Sequence, residues 1–399
     1  MSNGDPMPPA RAGGPDHVLG RIEGETGGPA VIVMAGIHGN EPAGVKAAGK
    51  VLRFLEAERP AVRGRLIMLR GNLTALRERT RYVDKDLNRQ WTPQRVAVLR
   101  ARPHDRWNSV EDREQAALLA LLGEITSEPA SDFFLLDLHT SSADGPPFLT
   151  VGDTLRNRAF ARRFPLPLIM GLEEQVDGSL LEYLSNGGFT TLGVEAGQHD
   201  REESADRQEA VLWLALTQCG FLPASAVPDL ERHRRLLVDV SRGLPRMIEV
   251  RRRHAISEED QFRMEPGFSN FQSVEKGRLL ARDQHGLVLS PESGRILLPL
   301  YHGKGNDGFF LARDVRPLWL SLSTLMRRLR LSGLLRMLPG VRRHSDNRDV
   351  LIVKNRSSDW YPLELFHMLG FRKMRRKGDD ILLIRRRFDL MPPPRITSV

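Results

Sequence analysis

Apolar and polar positions along the chain follow two rhythms. Short apolar runs at residues 31–34 (VIVM), 65–69 (RLIML), 133–138 (FFLLDL) and 190–194 (TTLGV) predict strands, the first and third of them buried on both faces. Between the first two runs, Val45, Ala48, Val51, Leu52 and Leu55 return at helical spacing and predict a helix over 43–58, opened by Pro42 and closed by Pro60. Strand, helix and strand within forty residues form a βαβ unit, which predicts a largely parallel sheet.

The same reading runs on in both directions. A first strand is expected over 17–22, short strands at 148–151 and 168–170 around a helix over 156–164, and helices over 109–125, 180–185 and 206–219. Residues 72–110 are polar and Arg-rich and predict a long loop, a length that goes with function or disorder. After a linker at 223–228 the pattern changes to short β-rich pieces, at 236–240, 247–252, 278–281, 287–289 and 296–300, separated by Gly and Pro turns. A basic amphipathic helix is expected over 318–338, broken at Ser332-Gly333, and strands at 350–353 and 381–385 around a helix over 361–369 complete a β-α-β-β appendage. The expected organisation is thus a mixed, largely parallel α/β sheet flanked by helices over 1–228, a small β domain over 229–317 and a basic α+β extension over 318–399.

Composition narrows the setting. Cys219 is the single cysteine, so no internal disulfide forms and a reducing, cytoplasmic compartment fits. The opening sixteen residues hold no apolar segment of the signal-peptide kind, and no run of eighteen apolar residues predicts a membrane span. The formal charge is +9, but residues 321–399 hold 18 Lys and Arg against 7 Asp and Glu, so the first 320 residues are close to neutral. That basic tail is the ground for one reading, a polyanion-binding protein; the Arg bias, 51 of 59 basic residues, argues against giving it much weight.

Chemistry-bearing residues sit where the expected strands end. His38 and Glu41 follow the strand at 31–34, His139 follows 133–138, and Glu195 follows 190–194. Ligands of open α/β sheets bind at the carboxyl ends of strands. Two imidazoles and a carboxylate with a fourth position free make a catalytic zinc set, and Glu195, flanked by Val194 and Ala196, is a candidate base. Asp137 points the same way along its strand as His139 and is placed to accept an imidazole N–H. Arg81, Asn88 and Arg89 in the polar loop are candidates for holding a substrate carboxylate. Each of these alone is as well read as an ordinary surface residue, and the three strand ends gain weight only together. His104, His199, His233, His254, His285, His302, His344 and His367 have no such setting and are expected on the surface or in loops.

GIHGNEPAG, RYVDKDLNR, LDLHTSS and GVEAGQ, in this order, resemble the succinylglutamate desuccinylase and aspartoacylase family, relatives of the zinc carboxypeptidases. The resemblance covers about residues 17–315. It implies one Zn2+ per chain on His38, Glu41 and His139, Glu195 promoting attack by water, and Arg81, Asn88 and Arg89 on the substrate's carboxylate. The implied activity is hydrolysis of an N-acyl amino acid, or a related acylated amine, to a carboxylate and a free amine. The partner is then a small molecule, with no membrane and no nucleic acid involved and an oligomer left open. Two features depart from the family. An Arg used on a second substrate carboxylate is absent from EYLSNGGFTT, and a Tyr from the C-terminal domain is replaced by Phe309 or Phe310. An acidic substrate is therefore not expected. Cleavage of a peptide or cell-wall fragment by a zinc carboxypeptidase is the second reading, and a polyanion-binding protein with a vestigial metal site the third.

Overall fold

The computed structural model of the protein describes residues 17–302, 304–345, 347, 349–354 and 363–391. Eight strands come first: β1 (Val18–Glu23), β2 (Glu25–Ala35), β3 (Arg63–Arg70), β4 (Phe133–Ser141), β5 (Phe148–Thr150), β6 (Leu168–Met170), β7 (Thr190–Gln198) and β8 (Met247–Ala255). Residues 263–314 add β9 (Arg263–Met264), β10 (Ser273–Val274), β11 (Leu279–Asp283), β12 (Gly286–Leu289), β13 (Gly294–Leu297) and β14 (Asp307–Asp314). One eleven-stranded sheet runs β1-β3-β2-β4-β7-β5-β6-β8-β14-β13-β10, and β12-β11-β9 forms a small separate sheet. The block β3-β2-β4-β7 is parallel throughout.

Alternation along those strands explains why the sheet is buried on both faces. Val31, Val33 and Ala35 of β2 and Phe134, Leu136 and Leu138 of β4 enter one apolar cluster, together with the helices Ala43–Glu58 and Glu202–Gln218. Ala30, Ile32 and Met34 and Phe133 and Leu135 enter the other, with the helix Val110–Ser127. A strand sandwiched this way has no polar face, so it reads as a continuous apolar run. Each fully buried Leu or Ile side chain contributes about 1.5–3 kcal/mol. On β4 the period of two puts Asp137 and His139 on one side of the strand.

Several elements differ from their expectation, each for a local reason. Residues 230–240 form a helix, Leu230–Val240, where a strand was expected over 236–240; Asp229 caps it by accepting the Arg232 N–H, and its face around Leu237 packs on Glu202–Gln218. The linker at 223–228 contains a 3-10 turn, Ala224–Ala226. The loop expected over 72–110 contains the helices Leu73–Glu78 and Pro93–Ala101, capped by Asn72 and Thr92, too short and polar for an apolar period to show. Strand β14 was not expected, and β8, β14, β13 and β10 extend the central sheet rather than standing apart from it. The basic helix ends at Arg328, and its break falls at Arg330, φ 56°, ahead of Ser332-Gly333.

The extension forms a four-stranded antiparallel sheet, β15 (Val341–Arg343), β16 (Val350–Lys354), β17 (Phe371–Lys377) and β18 (Asp380–Arg385), in the order β15-β16-β18-β17. A helix, Leu363–Met368, crosses between β16 and β17; the first two residues of its expected span lie outside the described residues. Strand β17 fills the strand of the β-α-β-β pattern to which no range was given, and β15 adds a strand ahead of it. The extension has its own core around Leu351, Phe366, Phe371 and Leu383.

It docks through a buried ionic cluster. Asp153, 1% exposed, accepts from Arg158 Nε at 2.6 Å, from Arg327 Nη1 at 2.9 Å and from Arg372 Nε. Arg372 Nη1 also donates to Glu249 at 2.5 Å, and Arg386 Nε to Glu174 at 2.9 Å. Arg327, Arg372 and Arg386 are thus buried in this junction and do not belong to a basic outer surface. Burial would raise the carboxyl pKa of Asp153, but the three guanidiniums outweigh it and hold it well below the usual carboxylate range.

Replacing Asp153 by Asn should cost about 3–5 kcal/mol, because three buried guanidiniums lose their common counter-charge. A depressed folded-state pKa contributes stability that is present above the unfolded value, near about 4, and lost as pH falls toward the folded one. Urea denaturation of the two proteins should therefore show their difference at neutral pH and its decline below about pH 4; a pH-independent difference would contradict this account.

Candidate functional site

Three strand ends and one loop converge at the carboxyl edge of the parallel block. Gly36 leaves β2 at φ 69°, a conformation glycine reaches without strain, and turns the chain so that His38 faces inward. Gly39 packs so closely that a Cβ there would lie 2.0 Å from the backbone of Ala75. Glu41 comes just before the helix Ala43–Glu58, whose Gly44 rests against Ala35 and Leu138. Side-chain bulk at these positions would push His38 and Glu41 off the sheet edge.

Glu41 is the centre of the cluster. It is 2% exposed and accepts from His38 Nδ1 (2.8 Å), His139 Nδ1 (3.2 Å) and the Thr140 backbone N–H (2.9 Å). The outer nitrogen of each imidazole also faces a carboxylate. His38 Nε2 lies 3.3 Å from Asp86 Oδ1, and His139 Nε2 lies 3.0 Å from Asp137 Oδ2. One donor atom each from His38, Glu41 and His139 lie within 4.8 Å of one another, the only such group of His, Cys, Asp and Glu among the described residues. Two imidazoles and a carboxylate this close, with carboxylates behind both rings, fit a divalent cation of the zinc kind.

Burial would raise the Glu41 carboxyl, but His38 and His139 outweigh it and hold it well below the usual range. Burial likewise works against protonated His139, yet Asp137 and Glu41 outweigh it and raise its pKa. Glu195 stands opposite His139 on β7. Its Oε2 is shielded from water with no hydrogen-bond partner among the described residues. Burial, only partly countered by His139, pushes its pKa up to about 8. A carboxylate of raised pKa beside a candidate metal set suits proton transfer near neutrality.

Arg81, Asn88 and Arg89 all line the same open cleft. Arg81 Nη2 donates to Asp86 at 3.1 Å, and its Nη1 lies 3.7 Å from Glu41. Asn88 uses its Oδ1 to accept the Leu180 N–H (2.9 Å) and so ties the polar loop to the next wall segment. Arg89 Nη2 donates to Asp307 at 2.7 Å, which places β14 against the loop.

The sequence reading passed over several residues that the cavity brings in. Asp86, in the same DKDLNR stretch, had no assigned role. His199 and His302 were expected to be surface or loop residues, but both line the cavity, their rings 5.5 Å apart and stacked. His199 Nδ1 pairs with Thr140 Oγ1 at 2.8 Å, and burial lowers the pKa of both, to about 4 for His302. Neither has a local signal, because their partners are distant along the chain: Thr140 lies 59 positions before His199, and His199 lies 103 positions before His302. Of the two phenylalanines considered, Phe310 faces the cavity, while Phe309 turns the other way and stacks on His254.

Residues 27–215 match the family model described as the succinylglutamate desuccinylase/aspartoacylase catalytic domain. Over that stretch the chain is similar to the succinylglutamate desuccinylase/aspartoacylase family. Among curated relatives, a succinylglutamate desuccinylase of Paraburkholderia xenovorans is 40% identical over 65 residues, covering 16% of this chain and 19% of that protein. One from Erwinia tasmaniensis is 32% identical over 118 residues, covering 28% and 32%. The matched stretch thus spans a third or less of these relatives. Among solved structures, a succinylglutamate desuccinylase/aspartoacylase from Rhodobacter sphaeroides superposes with TM-score 0.54 at 18% identity, over 75% of this chain and 88% of that one. Succinylglutamate desuccinylase from Vibrio cholerae gives 0.52 at 18%, over 75% and 86%. At that identity the superpositions carry the fold and nothing finer.

If Asp86 and Asp137 orient the two imidazoles, Asp86→Asn and Asp137→Asn should each weaken divalent-cation affinity about 10- to 100-fold while the protein stays folded. Competition with a chromophoric chelator measures it, and unchanged affinity in both variants would remove them from that role.

Proposed function

We propose that the protein is a zinc-dependent amidohydrolase that cleaves a small N-acyl amino acid into a carboxylate and a free amine. The observation that carries this reading is the convergence of His38, Glu41 and His139 beside Glu195 in a cavity lined by Arg81, Asn88 and Arg89. His38, Glu41 and His139 would hold the ion, with Asp86 and Asp137 behind the two rings. Zinc in such a site acts as a Lewis acid toward the amide carbonyl and favours deprotonation of water.

The chain's own residues supply the rest. Glu195, buried and unpartnered, takes a proton from the attacking water and returns it to the leaving nitrogen. The collapse forms one carboxylate and one amine, with water consumed and no other co-reactant. Arg81, close to Glu41, is placed to stabilise charge developing on the carbonyl oxygen. Arg81, Asn88 and Arg89 together orient the substrate's amino-acid carboxylate, a task suited to fork-shaped donors. The stacked pair His199 and His302, neutral by burial, closes part of the wall without adding charge.

The proposed division of labour follows from the same geometry. Residues 1–228 carry the ion and the base, 229–317 contribute Asp307 and Phe310 to the cavity, and 318–399 brace the outside through the Asp153 cluster. Among the described residues no helix is long and apolar enough to cross a membrane. With its lone cysteine, we place the protein in the cytoplasm.

Purified protein should contain about one zinc per chain by elemental analysis, and His38→Ala and His139→Ala should each lose it. Glu195→Gln should keep the zinc and lose about 10²- to 10⁴-fold in turnover. Release of free amino acid from N-acyl amino acids, and not from peptides, separates this activity from a carboxypeptidase. Full zinc content in both His variants would end the metal assignment, and near-normal turnover of Glu195→Gln would end the role of that base.

A further inference from the structure

The charge on the cavity wall is lopsided. Two guanidiniums, Arg81 and Arg89, face five carboxylates: Glu41, Asp137, Glu173, Glu195 and Asp307. A substrate carboxylate would add to the acids that already outnumber the guanidiniums on this wall. Four of the five acids have occupations already described. Glu41 sits between two imidazoles, and Asp137 pairs with His139. Asp307 bridges Arg89 and Arg253, and Glu195 is the proposed base.

Glu173 is the one left over. It lies on the short helix Leu172–Gln175, is 8% exposed, and its Oε2 accepts only the neutral hydroxyl of Ser179 at 2.8 Å. It forms no ion pair among the described residues. Arg386, the cation acting on it most strongly, is tied through Nε to Glu174 instead. A buried carboxylate held by one neutral donor is costly unless a cation arrives to meet it. Ser179 is itself fixed, because its hydroxyl oxygen accepts the Glu182 N–H (3.0 Å) as the cap of the helix Leu180–Asn186. The next residue, Leu180, donates to Asn88 Oδ1. The carboxylate is therefore anchored to the same loop that carries Asn88 and Arg89.

We propose that Glu173 is a specificity-determining residue that binds a cationic group of the substrate, so that the preferred N-acyl amino acid carries a second amine or a guanidinium. This rests on the amidohydrolase reading and names its substrate class. The lack of an Arg in residues 182–191 and Phe310 on the wall agree with it, since neither offers a partner to a second substrate carboxylate. A charge-assisted hydrogen bond to Glu173 forms only with the cationic substrate, and an apolar isostere leaves the carboxylate buried and unpaired.

The test compares Nα-acetyl-lysine and Nα-acetyl-ornithine with Nα-acetyl-norleucine and Nα-acetyl-glutamate on the zinc-loaded full chain. The ratio of kcat/KM between the lysine and norleucine compounds should be about 10- to 100-fold in the wild type, expressed mainly in KM. In Glu173→Gln that ratio should fall to about one. A wild-type ratio near one, a preference for the glutamate compound, or a ratio unchanged in Glu173→Gln would each overturn the proposal. The wild-type ratio decides alone if the variant does not fold. Calorimetric binding of free lysine against norleucine, the products of these amides, separates the two levels of argument. A preference for lysine that depends on Glu173, with no amide cleaved, would refute the hydrolase reading and keep the cation site. Cleavage of all the amides without charge preference would refute the cation site and keep the hydrolase reading.

Discussion

The structure turns on a single buried carboxylate. Glu41 is removed from water at the edge of a parallel sheet, a position that an unpaired charge would make prohibitive. Two imidazoles and one backbone N–H face it there, and each imidazole is backed by a further carboxylate. The cluster is stable only if every member stays in register: moving β2 by one residue against β4 would turn His139 to the opposite face and leave Glu41 without its second partner. The close packing at Gly39 and Gly44 is part of the same requirement, since it brings the strand end and the helix start near enough for the three donor groups to meet.

Charge is handled differently at two distances from that point. Near the cavity, guanidiniums are paired with nearby acids, Arg81 with Asp86 and Glu41, and Arg89 with the Asp307 it shares with Arg253, so their fields are local and directional. At the junction with the extension, Asp153 collects three guanidiniums and the ionic contacts become a seam between two cores. The high net charge of the tail is thus partly structural. Arginines that read as a basic surface in the sequence are buried against acids from residues 153, 174 and 249.

The cavity draws its wall from several parts of the chain. The matched stretch holds the parallel sheet, the strand-end residues and, in the segment after β6, Glu173 and Ser179 of the wall, while Asp307 and Phe310 of β14 lie beyond it.

The sequence by itself determined the elements whose information is local. The buried runs at 31–34 and 133–138 and the helical period over 43–58 mark a doubly covered sheet because each residue's environment repeats along the chain. His38, Glu41, His139 and Glu195 were legible because each follows such a run directly. Only tertiary structure decided what depends on distant neighbours. Residues 230–240 carry an apolar run that suits either a strand or a helix, and an Asp229 cap with a neighbouring helix to pack on settles it. Asp86 behind His38, His302 stacked on His199, Asp307 on Arg89 and the guanidiniums of Arg327 and Arg372 on Asp153 join residues 48 to 219 positions apart. Electrostatic and ring contacts of that kind have no period to leave in a sequence, since they depend on where the sheet's edge and the extension bring side chains together.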